Sequence, residues 1–178
     1  MWQKLNKCYP PQLELISLFL VILAFYVALS SYSALPDTIP IHFDAQGIPD
    51  DWGSKGMIFT FPILSTVVFL SLTFFNFWFA LVDDPKRFIN LPKKKREAVT
   101  EAQAEILRVF TNRCLFILKI LILSLFAYST WQTVEIALGS ASSLGAIFWL
   151  FIGALLALVG YMVWNSLRLT KTPTEMTS

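Results

Sequence analysis

The sequence predicts an all-α integral membrane protein. It is expected to have four transmembrane helices, a structured extracytoplasmic loop between helices 1 and 2, and a cytoplasmic amphipathic helix extending into helix 3. Three observations point there. Of the 178 residues, 56% are hydrophobic and only 15% charged, against roughly 45–50% and about 25% in soluble domains. The apolar residues gather in four runs, each long enough for a hydrocarbon core of about 30 Å. Lys and Arg concentrate on one side of these runs. With 14 basic and 12 acidic residues the net charge is only +2, so no global basic field marks a nucleic-acid binder.

The spans are expected at Leu13–Ser33, Met57–Leu81, Leu115–Val134 and Leu144–Leu167. Pro10 and Pro11 precede the first, and Pro62 lies near the start of the second, where a missing backbone donor is tolerated. The first run follows Lys4 and Lys7 but is too long for a signal-peptide core and lacks a small-residue cleavage site, so it is read as a retained helix. One membrane domain is expected over residues 1–169, with an external loop at 34–56, a cytoplasmic loop at 82–114 and a flexible tail at 170–178.

Orientation follows from the loops. Asp83–Arg113 holds eight Lys and Arg, Leu35–Gly56 holds only Lys55, and Glu135–Ser143 holds none. The positive-inside bias puts the middle loop and both termini in the cytoplasm, as expected for an inner-membrane protein. Lys93-Lys94-Lys95-Arg96 is read as a topology and anionic-lipid signal. Cys8 and Cys114 fall on that reducing side and are expected to be free thiols.

Thr100-Glu101-Ala102-Gln103 has capping-box spacing and predicts a helix start. Behind it Val99, Ala102, Ile106, Val109 and Phe110 recur at helical intervals, giving the apolar face of a helix that runs on into the third span. Lys119 sits one turn into the lipid part of that rod. Its long stem is expected to snorkel to the interface, the alternative being a buried partner. Glu14 and Asn76 are the other polar groups within or at the ends of the spans, and helix packing is the expected role of both. Gly153, Ala157 and Gly160 share a face of the fourth span, a close-packing seam within the chain or between copies.

The external segment Leu35–Lys55 is denser in Pro, Gly, Asp and Trp than an ordinary connector. Ile39, Ile41 and Phe43 alternate with Pro40, His42 and Asp44, which predicts a short extended piece with its apolar face on the helices and His42 and Asp44 on the other. Gly47 supplies a turn, and Trp52 anchors the loop at the interface. His42, the only histidine, is expected to pair with Asp44, which would raise its proton affinity, and with Lys55 the two would brace a cap over the helix ends. A fixed shape outside the membrane suits recognition, so His42, Asp44, Lys55, Gly47, Trp52 and Pro40 form the candidate surface for a ligand or partner.

Other chemistry is weakly signalled. One His with nearby carboxylates falls short of the three or four ligands of a zinc site, and the aspartate spacing fits no standard calcium loop, so no metal or cofactor is expected. No phosphate-binding glycine loop, CxxC pair or intramembrane carboxylate cluster is present. The partners expected are the bilayer and another membrane protein or a second copy of this chain; the alternative is a small membrane enzyme or metal-binding protein using His42 and the loop carboxylates.

The string Leu35-Pro36-x-x-Ile39-Pro40-Ile41-His42-Phe43, followed by Gly47, Asp50 and Trp52-Gly53-Ser54-Lys55, resembles the bacterial membrane family catalogued as domain of unknown function 1648. That domain also forms the N-terminal part of the SdpI-like immunity and signalling proteins. The resemblance implies that Pro40, His42, Gly47 and Lys55 are signature positions. It extends less specifically to Ile89-Asn90-Leu91-Pro92 and Thr100-Glu101, and four spans are expected here, without the further C-terminal membrane region of the immunity proteins. The resemblance implies an immunity or signalling role and names no reaction. An acidic, aromatic external surface joined by two helices to a basic cytoplasmic extension is the layout of a receptor or accessory subunit.

Overall fold

A computed structural model describes residues 2–88 and 93–169. The expected tail at 170–178 and the Ile89–Pro92 resemblance lie outside the described residues. The order is α1 (Trp2–Cys8), α2 (Glu14–Ser31), β1 (Thr38–Phe43), β2 (Pro49–Ser54), α3 (Thr60–Leu81), α4 (Lys93–Ala98), α5 (Glu101–Ala137) and α6 (Gly145–Leu169), with short 3-10 turns before α2 and α3 and after α3. Four helical segments, Pro11–Ser31, Lys55–Leu81, Glu101–Ala137 and Gly145–Leu169, are long and apolar enough to cross a membrane. They contain the cores of the four expected spans. Large apolar side chains such as Phe19, Ile22, Leu70, Phe74, Leu150 and Leu156 point outward from them, as a lipid-facing surface requires.

The helix α5 organises the bundle: α2, α3, α6 and β1 all pack on it. Its 37 residues make a rod on the order of 55 Å. The capping box forms as its spacing predicts, with the Gln103 amide donating to Thr100 Oγ1 at 3.1 Å and the Thr100 amide donating to Gln103 Oε1 at 3.0 Å. The buried face of its first turns differs from expectation. Ala104 and Leu107 pack with Val99, whereas Ala102 and Ile106 are exposed. Arg108 donates to the carbonyls of Ala80 at 3.3 Å and Val82 at 2.9 Å, a cation closing the C-terminal end of α3.

Lys119 does not snorkel. Its side chain is 0% exposed and donates to both Glu14 carboxylate oxygens at 2.7 Å, to Thr73 Oγ1 at 3.0 Å and to Asn76 Oδ1 at 3.5 Å. Glu14, only 15% exposed, also accepts from Thr73 Oγ1 at 3.2 Å and from the Tyr9 hydroxyl at 2.7 Å. Burial, with Glu14 beside it, pushes the Tyr9 hydroxyl well above its ordinary value, so it remains a donor. The lysine stem is turned inward because two neighbouring helices, α2 and α3, supply acceptors within its reach. One turn nearer the termini, Asn76 donates to the Asn112 carbonyl and Oδ1 at 2.9 and 2.8 Å, and Asn112 donates back to the Asn76 carbonyl at 2.9 Å. Asn76 thus meets the neighbouring helix α5.

Among the described residues nothing packs closely into the seam on α6. Gly153, Ala157 and Gly160 are exposed, a Cβ added at Gly153 or Gly160 would meet nothing within 4 Å, and no residue of α6 is buried. The helix instead leans on α5 with its aromatic side, where Tyr128 meets Phe151 and Phe110 meets Tyr161.

Removing one member of a buried ion pair strands the other, at a cost of about 3–5 kcal/mol, whereas replacing both by apolar residues of similar volume is often close to neutral. Lys119→Met or Glu14→Gln alone is therefore expected to lower the thermal midpoint in detergent, and the double variant Glu14→Met with Lys119→Met to recover most of the loss. Additive single effects would refute the coupling.

Candidate functional site

The segment joining α2 to α3 folds as a β-hairpin rather than one extended piece. β1 and β2 pair antiparallel with Thr38 opposite Ser54, Ile39 opposite Gly53, Pro40 opposite Trp52, His42 opposite Asp51 and Phe43 opposite Pro49. The register slips twice, so Ile41 is the extra residue on β1 and Asp50 the extra residue on β2. Bulges of this kind re-aim side chains and break simple alternation. The expected Ile39, Ile41 and Phe43 face is accordingly not formed. Ile39 and Pro40 are both buried, Ile41 is exposed and lies across Gly53, and Phe43 is half-buried. A Cβ on Gly53 would come within 2.9 Å of the Ile41 side chain, which accounts for glycine at this position.

The hairpin is fixed at both ends. At its base Ile39 joins Ala28, Leu35, Ile58 and Val134 in one buried cluster, which welds the strands to α2, α5 and the turn before α3. Lys55 closes the same end, with its Nζ 3.0 Å from Asp37 Oδ1 and its amide donating to the Asp37 carbonyl at 2.9 Å. Its ammonium also lies 5.6 Å from the centre of the Tyr32 ring. At the tip, the Asp44 carboxylate accepts from the amides of Gln46 and Ile48, each at 2.9 Å, and Gly47 takes φ +77°. The Gly47 carbonyl then accepts from the Leu144 amide at 2.9 Å, and the Leu144 carbonyl accepts from Tyr128 Oη at 2.8 Å. A Cβ on Gly47 would stand 3.3 Å from Leu144 Cβ, so glycine is required both by the backbone angle and by this approach.

The expected contacts among the candidate residues are therefore corrected. His42 pairs with Asp50, Nδ1 to Oδ1 at 2.5 Å, and not with Asp44, because the second bulge swings Asp50 toward the ring. Asp44 is occupied with the turn, and Lys55 with Asp37, so His42, Asp44 and Lys55 do not form one brace. Trp52 is exposed opposite the buried Pro40. Asp37, Asp50 and Tyr128 carry roles that sequence reading did not assign them. Only the density of aspartates in the segment hinted at the first two. Among the described residues no three His, Cys, Asp or Glu side chains converge as metal ligands.

What remains outward is a compact polar face with apolar edges: His42 with Asp50, Asp51, Ile48 and Trp52. The hydrogen bond that Asp50 accepts and its negative charge raise the His42 proton affinity above the ordinary value, while slight desolvation opposes them. A raised folded-state value means the pair contributes fully below about pH 6.5 and is lost as pH rises through that higher value. The pair is exposed, so it orients the ring more than it stabilises the fold.

NMR titration of the single imidazole in the full protein should give a midpoint above 6.5, falling toward 6.5 in Asp50→Asn and little changed in Asp44→Asn. The reverse response of the two variants would restore Asp44 as the partner.

The comparisons with known proteins bear on this hairpin. A family model described as a domain of unknown function, DUF1648, matches residues 19–66. An uncharacterized protein of Archaeoglobus fulgidus is 29% identical to this chain over 137 residues, which cover 76% of this chain and 73% of the relative. That relative is archaeal, where the resemblance implied a bacterial family. No solved structure matches the chain. The matched stretch begins inside α2, takes in the whole hairpin with Pro40, His42, Gly47 and Lys55, and ends in α3. Residues 19–66 of this multi-pass membrane protein are thus similar to the domain of unknown function DUF1648.

Proposed function

We propose that this chain is a non-catalytic membrane protein that recognises a partner protein through the outward face of its hairpin, as an accessory subunit or in an immunity or signalling role of the SdpI-like kind. In this reading the hairpin lies outside the cytoplasmic membrane and both termini lie inside. The observation that carries it is the double attachment of the hairpin: the cluster around Ile39 at the base and the Gly47–Leu144 bond at the tip hold a two-stranded unit that would be marginal alone. A rigid, exposed face loses little entropy on binding, which favours recognition. The orientation is supported by eight basic residues in 83–113 against the single Lys55 in the hairpin segment.

The test uses Ile48→Cys, exposed at the hairpin tip, labelled in intact cells with a membrane-impermeant thiol-reactive photo-crosslinker. Cys8 and Cys114 are buried and should not compete. Irradiation is expected to give one discrete higher-mass adduct, lost when His42→Ala is added while the protein level stays constant. No labelling from outside would overturn the orientation. An adduct indifferent to His42→Ala would overturn recognition through this face, and loss of the protein itself would make His42 a folding residue.

A further inference from the structure

Beneath the hairpin, α3 and α6 both pack on α5 and leave a groove between them of about 410 Å³. That lies within the size range of small-ligand sites, roughly 300–1,000 Å³. Phe61 of α3, Phe126 of α5 and Phe148 of α6 supply apolar walls, Ser129 lies in the floor, and His42 and Asp44 of the hairpin line the mouth. No Lys or Arg lines it.

The walls belong to membrane-spanning helices and the mouth belongs to the polar hairpin, so the groove crosses from an apolar medium to an aqueous one. An occupant must match both parts: an apolar chain between α3 and α6, and a polar end under the hairpin. The charge at that end selects its sign. The segment Leu35–Lys55 has four aspartates against one lysine, and the His42 ring is engaged by Asp50. Asp44 is held in place by the amides of Gln46 and Ile48, which fix its carboxylate without neutralising it. An ammonium group is complementary to such a carboxylate, and a charge-assisted hydrogen bond to it is roughly twice as strong as a neutral one. An anionic head without an amine would meet no Lys or Arg there, and the His42 ring is already paired with Asp50.

We propose that this groove binds a bilayer lipid with a primary amine on its headgroup, its acyl chain between α3 and α6 and its ammonium at Asp44. The site is separate from protein capture by the outward face and stands whether or not that capture occurs. Lipid transfer or chemistry is not implied.

Full-length protein in mild detergent, offered equal amounts of phosphatidylethanolamine and phosphatidylglycerol with identical acyl chains, tests this by native mass spectrometry. Phosphatidylethanolamine adducts should exceed phosphatidylglycerol adducts several-fold. Asp44→Asn retains an oxygen for the two turn amides but removes the charge, and should bring the two lipids level. Ser129→Leu, filling the floor, should reduce both adducts. Equal adducts on the unaltered protein, a preference that survives Asp44→Asn, or adducts unaffected by Ser129→Leu would each overturn the proposal. The comparison on the unaltered protein decides by itself if a variant fails to fold.

Discussion

A lysine ammonium buried among three helices constrains everything else in this molecule. Lys119 is closed off from solvent and held by Glu14 of α2 and Thr73 and Asn76 of α3. A charge in that position is tolerated only if its partners are present and correctly aimed. The requirement fixes the rotation and height of α2 and α3 against α5. The reciprocal Asn76–Asn112 bonds fix the same register a second time. Since the hairpin is spliced between α2 and α3, its base can meet Val134 of α5 only when that register holds. Polar groups near one end of the bundle thereby set the geometry of the structured segment at the other.

The hairpin converts that geometry into a surface. Ile39 fills the space among the helix ends, and the backbone of Gly47 bonds to a loop that Tyr128 ties to α5. Between these anchors the two bulges decide which side chains face outward. Without the first, Ile41 would share the burial of Ile39; without the second, Asp50 would not reach the ring of His42. The outward face proposed for recognition and the groove proposed for a lipid meet at His42, which is exposed on the first and lines the second.

The sequence made the helices legible because lipid imposes a simple rule: long apolar runs, ended by proline or by charge. The capping box at Thr100 and the turn at Gly47 were legible for the same reason, since each rests on a local bond or backbone angle. Lys119 was misread because snorkelling is judged from one helix, whereas Glu14 is 105 residues away in the chain. Two opposite charges near the same ends of different spans were the available signal. His42 was assigned the nearest carboxylate, Asp44, because simple alternation puts it on the same face; the bulge that delivers Asp50 is a pairing irregularity with no local marker. On α6 the small residues Gly153, Ala157 and Gly160 fit a packing motif, yet the aromatic side of the helix meets α5.

The central claim is that the segment between α2 and α3 is a rigid platform held by the bundle, and amide hydrogen exchange of the full protein in lipid nanodiscs measures this directly. The amides of Asp44 and Lys55, bonded to the Ile48 and Asp37 carbonyls, and of Leu144, bonded to the Gly47 carbonyl, should exchange slowly. Exchange across residues 38–54 as fast as in an unstructured loop, with Leu144 equally unprotected, would contradict the account.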